Sequence, residues 1–214
     1  MPVNSNQVPF ANLKRVRQET FAYCGPAVLE MLFSHFGLEI TQKQILTAAQ
    51  IDEERIKKYG MSPPDMALAT KNPPVNFNFW YKTDATVSDL VKIVRLYNYP
   101  IGVNWQGIFT IGDNDDYRDD YLAYGEEDDD EGHYSVVTDI DTVSNYVRIA
   151  DPFGHYAGHD RIFSIIEFEK RWWDENNEVD PFTQKQKWVY YHRLMFLVLP
   201  RTITFPIDLG MKLG

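Results

Sequence analysis

The strongest constraint on the fold of this chain is an amphipathic helix that begins at its one cysteine, Cys24. Apolar residues recur at helical spacing over residues 27–36, and Gly37 follows as a C-terminal stop. Pro26 fits the first turn, where its missing N–H costs nothing. Because an apolar helical face needs other elements to cover it, the sequence predicts a buried helix over residues 24–36 with the thiol at its N-terminus.

The rest of the chain predicts helices first and strands later. Capping signals at Thr41, Ser62 and Thr86 predict helices over residues 42–49, 62–70 and 87–97. β-rich runs predict strands over residues 75–81, 101–105, 133–140, 146–150 and 188–199, with one further helix over residues 162–173. This order of elements predicts an α+β fold with an antiparallel sheet.

Bulk composition limits the class of protein. With 214 residues, 44% of them hydrophobic, the chain suits a single domain over residues 1–214. Its apolar runs are far shorter than the roughly 20 residues that cross a bilayer, and the N-terminus has neither a basic nor an apolar segment. We therefore expect no membrane contact and a cytoplasmic location. The formal net charge of −10 opposes nucleic-acid binding, because the phosphate backbone attracts cations.

Much of the negative charge is concentrated in an acidic segment at about residues 112–131. Self-repelling carboxylates predict a solvated loop. Two functional alternatives remain: the segment draws basic peptides to a nearby site, or it binds calcium through its oxygen ligands. The segment lacks the glycine turn and closing glutamate of an EF-hand, which disfavours calcium.

Cys24 has two interpretations, a structural thiol or a nucleophile. A lone cysteine forms no internal disulfide, and a helix N-terminus favours the reactive thiolate. A thiolate also needs an imidazole partner. Of the five histidines His133 is the best placed, because it follows Gly132 at the head of a β-rich run that can hold the ring rigidly. The other four histidines are expected to have structural or solvent roles.

Asp151 and Gln18 complete the candidate site. Asp151 follows the second strand of a predicted hairpin, so strand pairing is expected to bring it beside His133, where it can orient the ring. An ordinary Asp-Pro turn is the structural alternative. The Gln18 amide and the Cys24 backbone N–H can donate to an oxyanion, although an isolated glutamine carries no signal by itself.

The aromatic residues are interpreted mainly as packing. Trp172, Trp173, Trp188, Tyr190 and Tyr191 are expected to fill a core and its rim. Trp105 ends a predicted strand before the acidic segment and is a candidate for lining a cleft.

Three blocks of sequence together resemble the bacteriocin-processing (double-glycine leader) peptidase family. They are Gln18 to Ala27 (QETFAYCGPA), Gly132 to Val137 (GHYSVV) and Ile149 to Gly154 (IADPFG). The resemblance implies a papain-like fold. It also implies roles for four residues: Cys24 as nucleophile, His133 as base and then acid, Asp151 as orienting acceptor and Gln18 as oxyanion donor.

These observations predict a cysteine peptidase that cleaves peptide bonds through an acyl-enzyme and needs no metal or cofactor. Its partner would be a peptide or protein substrate, a basic one if the acidic segment lies over the cleft. Two alternatives stay open. One is a papain-like domain that binds a peptide or protein with its catalytic residues idle. The other is an acyl-transfer enzyme, a transglutaminase or deamidase.

Overall fold

Helices dominate the first third of the chain, and strands dominate the remainder. The computed structural model describes residues 9–108, 132–179, 183, 185–205 and 209–214. The helices are α1 Cys24–His35, α2 Gln42–Ala49, α3 Glu53–Tyr59, α4 Pro63–Lys71, α5 Val87–Val91 and α6 Ile165–Arg171. The strands are β1 Phe77–Lys82, β2 Ile101–Gln106, β3 Gly132–Asp141, β4 Tyr146–Ala150, β5 Asp160–Ser164, β6 Trp173–Val179, β7 Gln186–His192, β8 Met195–Pro200 and β9 Lys212–Leu213.

Seven strands form one antiparallel sheet in the order β5-β4-β3-β2-β8-β1-β9, and β6 pairs with β7 in a separate two-stranded sheet. The predicted α+β class with an antiparallel sheet is therefore confirmed.

Two apolar clusters lie on opposite faces of the main sheet. Phe196 and Val198 of β8 belong to the cluster that includes α1, α2 and α4, whereas Met195, Leu197 and Leu199 belong to the cluster that includes α5 and α6. This alternation follows from the two-residue period of a strand. α1 packs on β3, and its first residue, Cys24, lies beside His133 near the start of β3.

The local helix signals are confirmed. Thr41, Ser62 and Thr86 each form a capping box with the residue three positions later. Gly37 has a φ of +78°, as expected for the stop after α1. Beyond α5 the helical chain continues as a π-helix, Lys92–Leu96, so the helical segment predicted over residues 87–97 is present.

Two predicted elements are wrong. The helix predicted over residues 162–173 begins only at Ile165, because β5 first pairs with β4 and Ser164 then caps α6. The strand predicted over residues 188–199 is two strands in different sheets, separated at Arg193, whose φ is +49°. The residues of α3 and β6 are mostly polar, and neither element was predicted from the sequence.

The acidic segment predicted at about residues 112–131 lies outside the described residues, and so do the basic-peptide and calcium alternatives that rest on it. None of the helices in the described parts of the chain combines the length and the apolar composition that crossing a membrane requires.

Candidate active site

Cys24 is the first residue of α1 and is partly exposed, whereas the residues that follow it are buried. Tyr23 is the N-cap, and Gly25 lies against α4 and the residues before it. A Cβ on Gly25 would come within 2.9 Å of the Met61 Cβ, so only glycine allows this close packing. The first-turn N–H groups of a helix have no partner within the helix, and they favour negative charge at Cys24.

The structure brings His133 and Asp151 together, as the β3–β4 hairpin predicts. Val136 pairs with Ala150, so Asp151 emerges from β4 near the start of β3. His133 Nε2 and Asp151 Oδ1 are 2.8 Å apart, and both residues are buried. His133 also interacts with the Cys24 side chain. Because Nε2 binds Asp151, Nδ1 is the ring nitrogen left for the thiol.

The environment of His133 favours the imidazolium. Burial alone lowers the pKa of His133, but the Asp151 carboxylate and its hydrogen bond, together with Cys24, outweigh burial and raise the pKa to about 10. Burial likewise opposes ionisation of Asp151, yet His133, Arg161 and the Phe153 N–H hold the pKa of that carboxyl below its ordinary value. Asp151 is therefore a carboxylate that faces two cations.

Arg161 is a neighbour of the site that the sequence analysis missed. Its Nη1 lies 2.8 Å from Asp151 Oδ2, the oxygen that does not bind His133. A lone arginine in a β-rich run carries no distinctive sequence signal. Its position depends on the pairing of β5 with β4, which places Arg161 opposite Ile149.

Gln18 is buried next to the residues that follow Asp151. Its backbone N–H donates to the Pro152 carbonyl at 2.9 Å. Its side-chain Nε2 donates to the carbonyls of Thr20 (3.0 Å) and Phe21 (2.6 Å). The side-chain amide thus supports the loop that leads into α1. For Gln18 to bind an oxyanion, one of these two hydrogen bonds has to be exchanged for the substrate oxygen.

Cys24 and His133 line a cleft of about 440 Å³. The lining also includes residues 57–61, at and after the end of α3, and residues 174–177 of β6. Lys57 and Lys58 belong to the first of these segments and Asp174 and Glu175 to the second, so the lining carries charges of both signs.

Asp174 is a second feature that the sequence analysis missed. The carboxylate accepts hydrogen bonds from Asn104, Gln106 and Asn176 side chains and from the Glu175 N–H. Burial raises the pKa of Asp174 to about 6 against the effect of these donors. This cluster ties β6 to the end of β2, beside Gly132. Asp174 lies in a polar run with no distinctive motif, so no sequence signal identified it.

Gly132→Ala tests how closely the second sheet packs against the site. A Cβ at residue 132 would overlap the Asp174 carboxylate, which four hydrogen bonds hold in place. We expect the free energy of unfolding of the variant, measured in urea, to be lower by about 1–3 kcal/mol. In an Asp174→Ala background the same substitution should lower the free energy of unfolding by less, the difference being at least about 0.5 kcal/mol. If the effects of the two substitutions were strictly additive, the proposed overlap would be contradicted.

Two aromatic expectations need correction. Trp105 does not line the cleft: it is fully buried, its Nε1 donates to Ser135 Oγ at 3.1 Å, and its ring packs on Phe163 and Phe168. Trp188, expected to pack the core or its rim, is 69% exposed and lines the cleft.

The helix-borne cysteine packed on an antiparallel sheet that carries the histidine is the arrangement of papain-like cysteine peptidases. Among the described residues, no three His, Cys, Asp or Glu side chains come together as a metal site. Residues 10–179 match the sequence profile of the Peptidase C39 like family, and the chain belongs to this family of cysteine peptidases.

A solved peptidase domain shares the fold, and a second solved structure is similar over most of the chain. The peptidase domain of Streptococcus ComA, a bifunctional ABC transporter in a quorum-sensing pathway, is 18% identical, with a TM-score of 0.52 over 88% of this chain and 99% of that domain. A double-glycine-motif protease from an AMS/PCAT transporter, solved with its leader peptide, is 12% identical, with a TM-score of 0.49 over 89% of this chain and 93% of that one. No curated protein sequence matches the chain.

Proposed function

We propose that this chain is a cysteine peptidase whose single domain, residues 1–214, hydrolyses peptide bonds through Cys24, His133 and Asp151. The observation that carries the proposal is the continuous line of contacts from the thiol through the buried imidazole to the buried carboxylate. A core histidine with a purely structural role has no need of both a cysteine and a carboxylate partner. Membership of a cysteine peptidase family supports the same chemistry.

The proposed reaction has two halves. In the first half His133, as the imidazolium, holds the proton that Cys24 has lost, and the thiolate forms a C–S bond with the carbonyl carbon of the scissile amide. The imidazolium then gives its proton to the leaving amine as the C–N bond breaks. In the second half His133 takes a proton from water, the hydroxide attacks the thioester, and the carboxylic acid product leaves as the thiol is restored. The thiol and the imidazole carry every proton transfer.

Asp151 would hold the imidazole in the orientation that points Nδ1 at the thiol, and its negative charge would stabilise the imidazolium. The Cys24 backbone N–H in the first turn of α1 and the Gln18 side-chain amide would stabilise the tetrahedral oxyanion. Gln18 would reach that role by giving up one of its two carbonyl acceptors.

The proposed substrate is a peptide or an unfolded segment of a protein. Two runs of consecutive residues, 57–61 and 174–177, line the cleft, which suits an extended chain. Basic and acidic residues both belong to the lining, so the cleft itself does not favour one sign of charge.

A peptide library tests the proposed function. Wild-type protein and Cys24→Ala are each incubated with the same library of proteome-derived peptides, and new termini are identified by mass spectrometry. We expect cleavage products with the wild type and none with Cys24→Ala, because the variant lacks the nucleophile. A peptide that both proteins cleave at equal rates would show that Cys24 does not carry the reaction.

A further inference from the structure

Arg161 binds the side of the Asp151 carboxylate that faces away from His133. Asp151 Oδ1 accepts from His133 Nε2 at 2.8 Å and from the Phe153 N–H at 3.0 Å. Asp151 Oδ2 accepts from Arg161 Nη1 at 2.8 Å. The Asp151 side chain is fully buried, so protein donors rather than bulk water fix its two oxygens.

The guanidinium of Arg161 is itself held in place. Its Nη2 donates to the Ile108 carbonyl at 2.7 Å, and the guanidinium carbon lies 3.6 Å from the centre of the Tyr156 ring. The side chain is only 12% exposed. A planar guanidinium with these contacts is pre-organised, so it loses little entropy when it binds the carboxylate.

Charge and geometry act together at this pair. A carboxylate has two equivalent oxygens, and a guanidinium bound to one of them restricts rotation of the group and leaves the other for the imidazole. In the described residues, the charged or titratable groups that face Asp151 are His133 on β3 and Arg161 on β5, with Cys24 of α1 beyond His133. Asp160, which precedes Arg161, pairs with Arg15 at 3.0 Å.

We propose that Arg161 is a positioning residue of the Cys24–His133–Asp151 centre: it binds Asp151 Oδ2 and so directs Oδ1 at His133 Nε2. The role in catalysis rests on the proposed function. The effect of Arg161 on the hydrogen bond between Asp151 and His133 is a property of the folded protein, and it is measurable without any substrate.

Arg161→Met tests the proposal by nuclear magnetic resonance of protein with ¹⁵N-labelled histidine. The low-field Nε2–H signal of His133 reports its hydrogen bond to the Asp151 carboxylate and is lost as acid protonates that carboxylate. Because Arg161 is one of the groups that lower the pKa of Asp151, its removal should move the midpoint of this loss upward by about one pH unit. Arg161→Lys keeps the charge and should lie closer to the wild type.

Arg15→Met is the matched control. Arg15 forms a similarly buried ion pair with Asp160, and its side chain is 10% exposed. The control should lower the melting temperature without moving the His133 signal. If Arg161→Met does not fold, Arg161→Gln removes the same charge while it keeps an N–H donor, and the same upward shift is expected.

The proposal would be overturned if the pH at which the His133 Nε2–H signal is half lost were unchanged in Arg161→Met and Arg161→Gln. It would also be overturned if that pH moved equally in Arg15→Met. Failure of the chain to cleave any peptide would instead count against the proposed function, because the His133 signal does not depend on turnover.

Discussion

Replacing His133 with alanine is expected to slow the alkylation of Cys24 by iodoacetamide at pH 6 by roughly 100-fold. Only about 0.3% of ordinary cysteine thiols are ionised at that pH, and the thiolate is the form that reacts. In the proposed mechanism His133 holds the thiol proton of Cys24 and stabilises the thiolate as an ion pair. The variant retains only the helix N-terminus.

Intact-mass spectrometry after timed labelling measures this rate directly, because the chain has one cysteine and each modification is unambiguous. His192→Ala is a suitable control: His192 also pairs with an aspartate, Asp84, at 2.8 Å, but both side chains are exposed and lie outside the lining of the cleft. The control should label at the wild-type rate. Equal rates in the wild type and His133→Ala would mean that Cys24 is not activated, and they would favour a binding domain with idle catalytic residues.

Asp151→Asn is expected to destabilise the protein by about 3–5 kcal/mol at pH 6, as measured by urea unfolding. Asp151 is fully buried between His133 and Arg161, and a neutral amide leaves both cations without their counter-charge. The comparison is best made in a Cys24→Ala background, so that the thiol contributes no change of charge. Asp84→Asn removes the exposed aspartate of the His192 pair and should leave the unfolding midpoint unchanged.

The cost of Asp151→Asn should also depend on pH. The folded-state pKa of His133 is raised to about 10, so the stability that His133 contributes is fully present below its unfolded value near 6.5 and is lost as pH rises towards 10. The pKa of Asp151 is lowered, so its contribution is present above about 3.8 and is lost as pH falls further. Asp151→Asn should therefore lower the free energy of unfolding most between about pH 4 and 6.5, and less at pH 10. A cost that does not change over this range would contradict a His133–Asp151 ion pair.

Elements with strong local signals could be predicted from the sequence. The apolar spacing after Cys24 gave α1 to within one residue, and the capping box at Thr41 gave α2 with its observed bounds. The β3–β4 hairpin was predicted because its strands are apolar and close in sequence. Pairing of these strands then predicted that Asp151 lies beside His133, as observed. Each of these signals acts over a few residues, where propensity and capping decide the outcome.

Only the tertiary structure decided which groups surround these residues. The strand β6 is polar, so no apolar alternation marks it, yet its Asp174 ties the second sheet to the end of β2. Arg161 reaches Asp151 because of the register between β4 and β5, which links residues about ten positions apart through backbone pairing. The sequence by itself determined the fold class and pointed to Cys24, His133 and Asp151, which the folded chain brings together. Charge pairing in the interior and strand register depend on contacts between distant segments, and for that physical reason the pairing of Arg161 with Asp151 and the lining of the cleft emerged only from the folded chain.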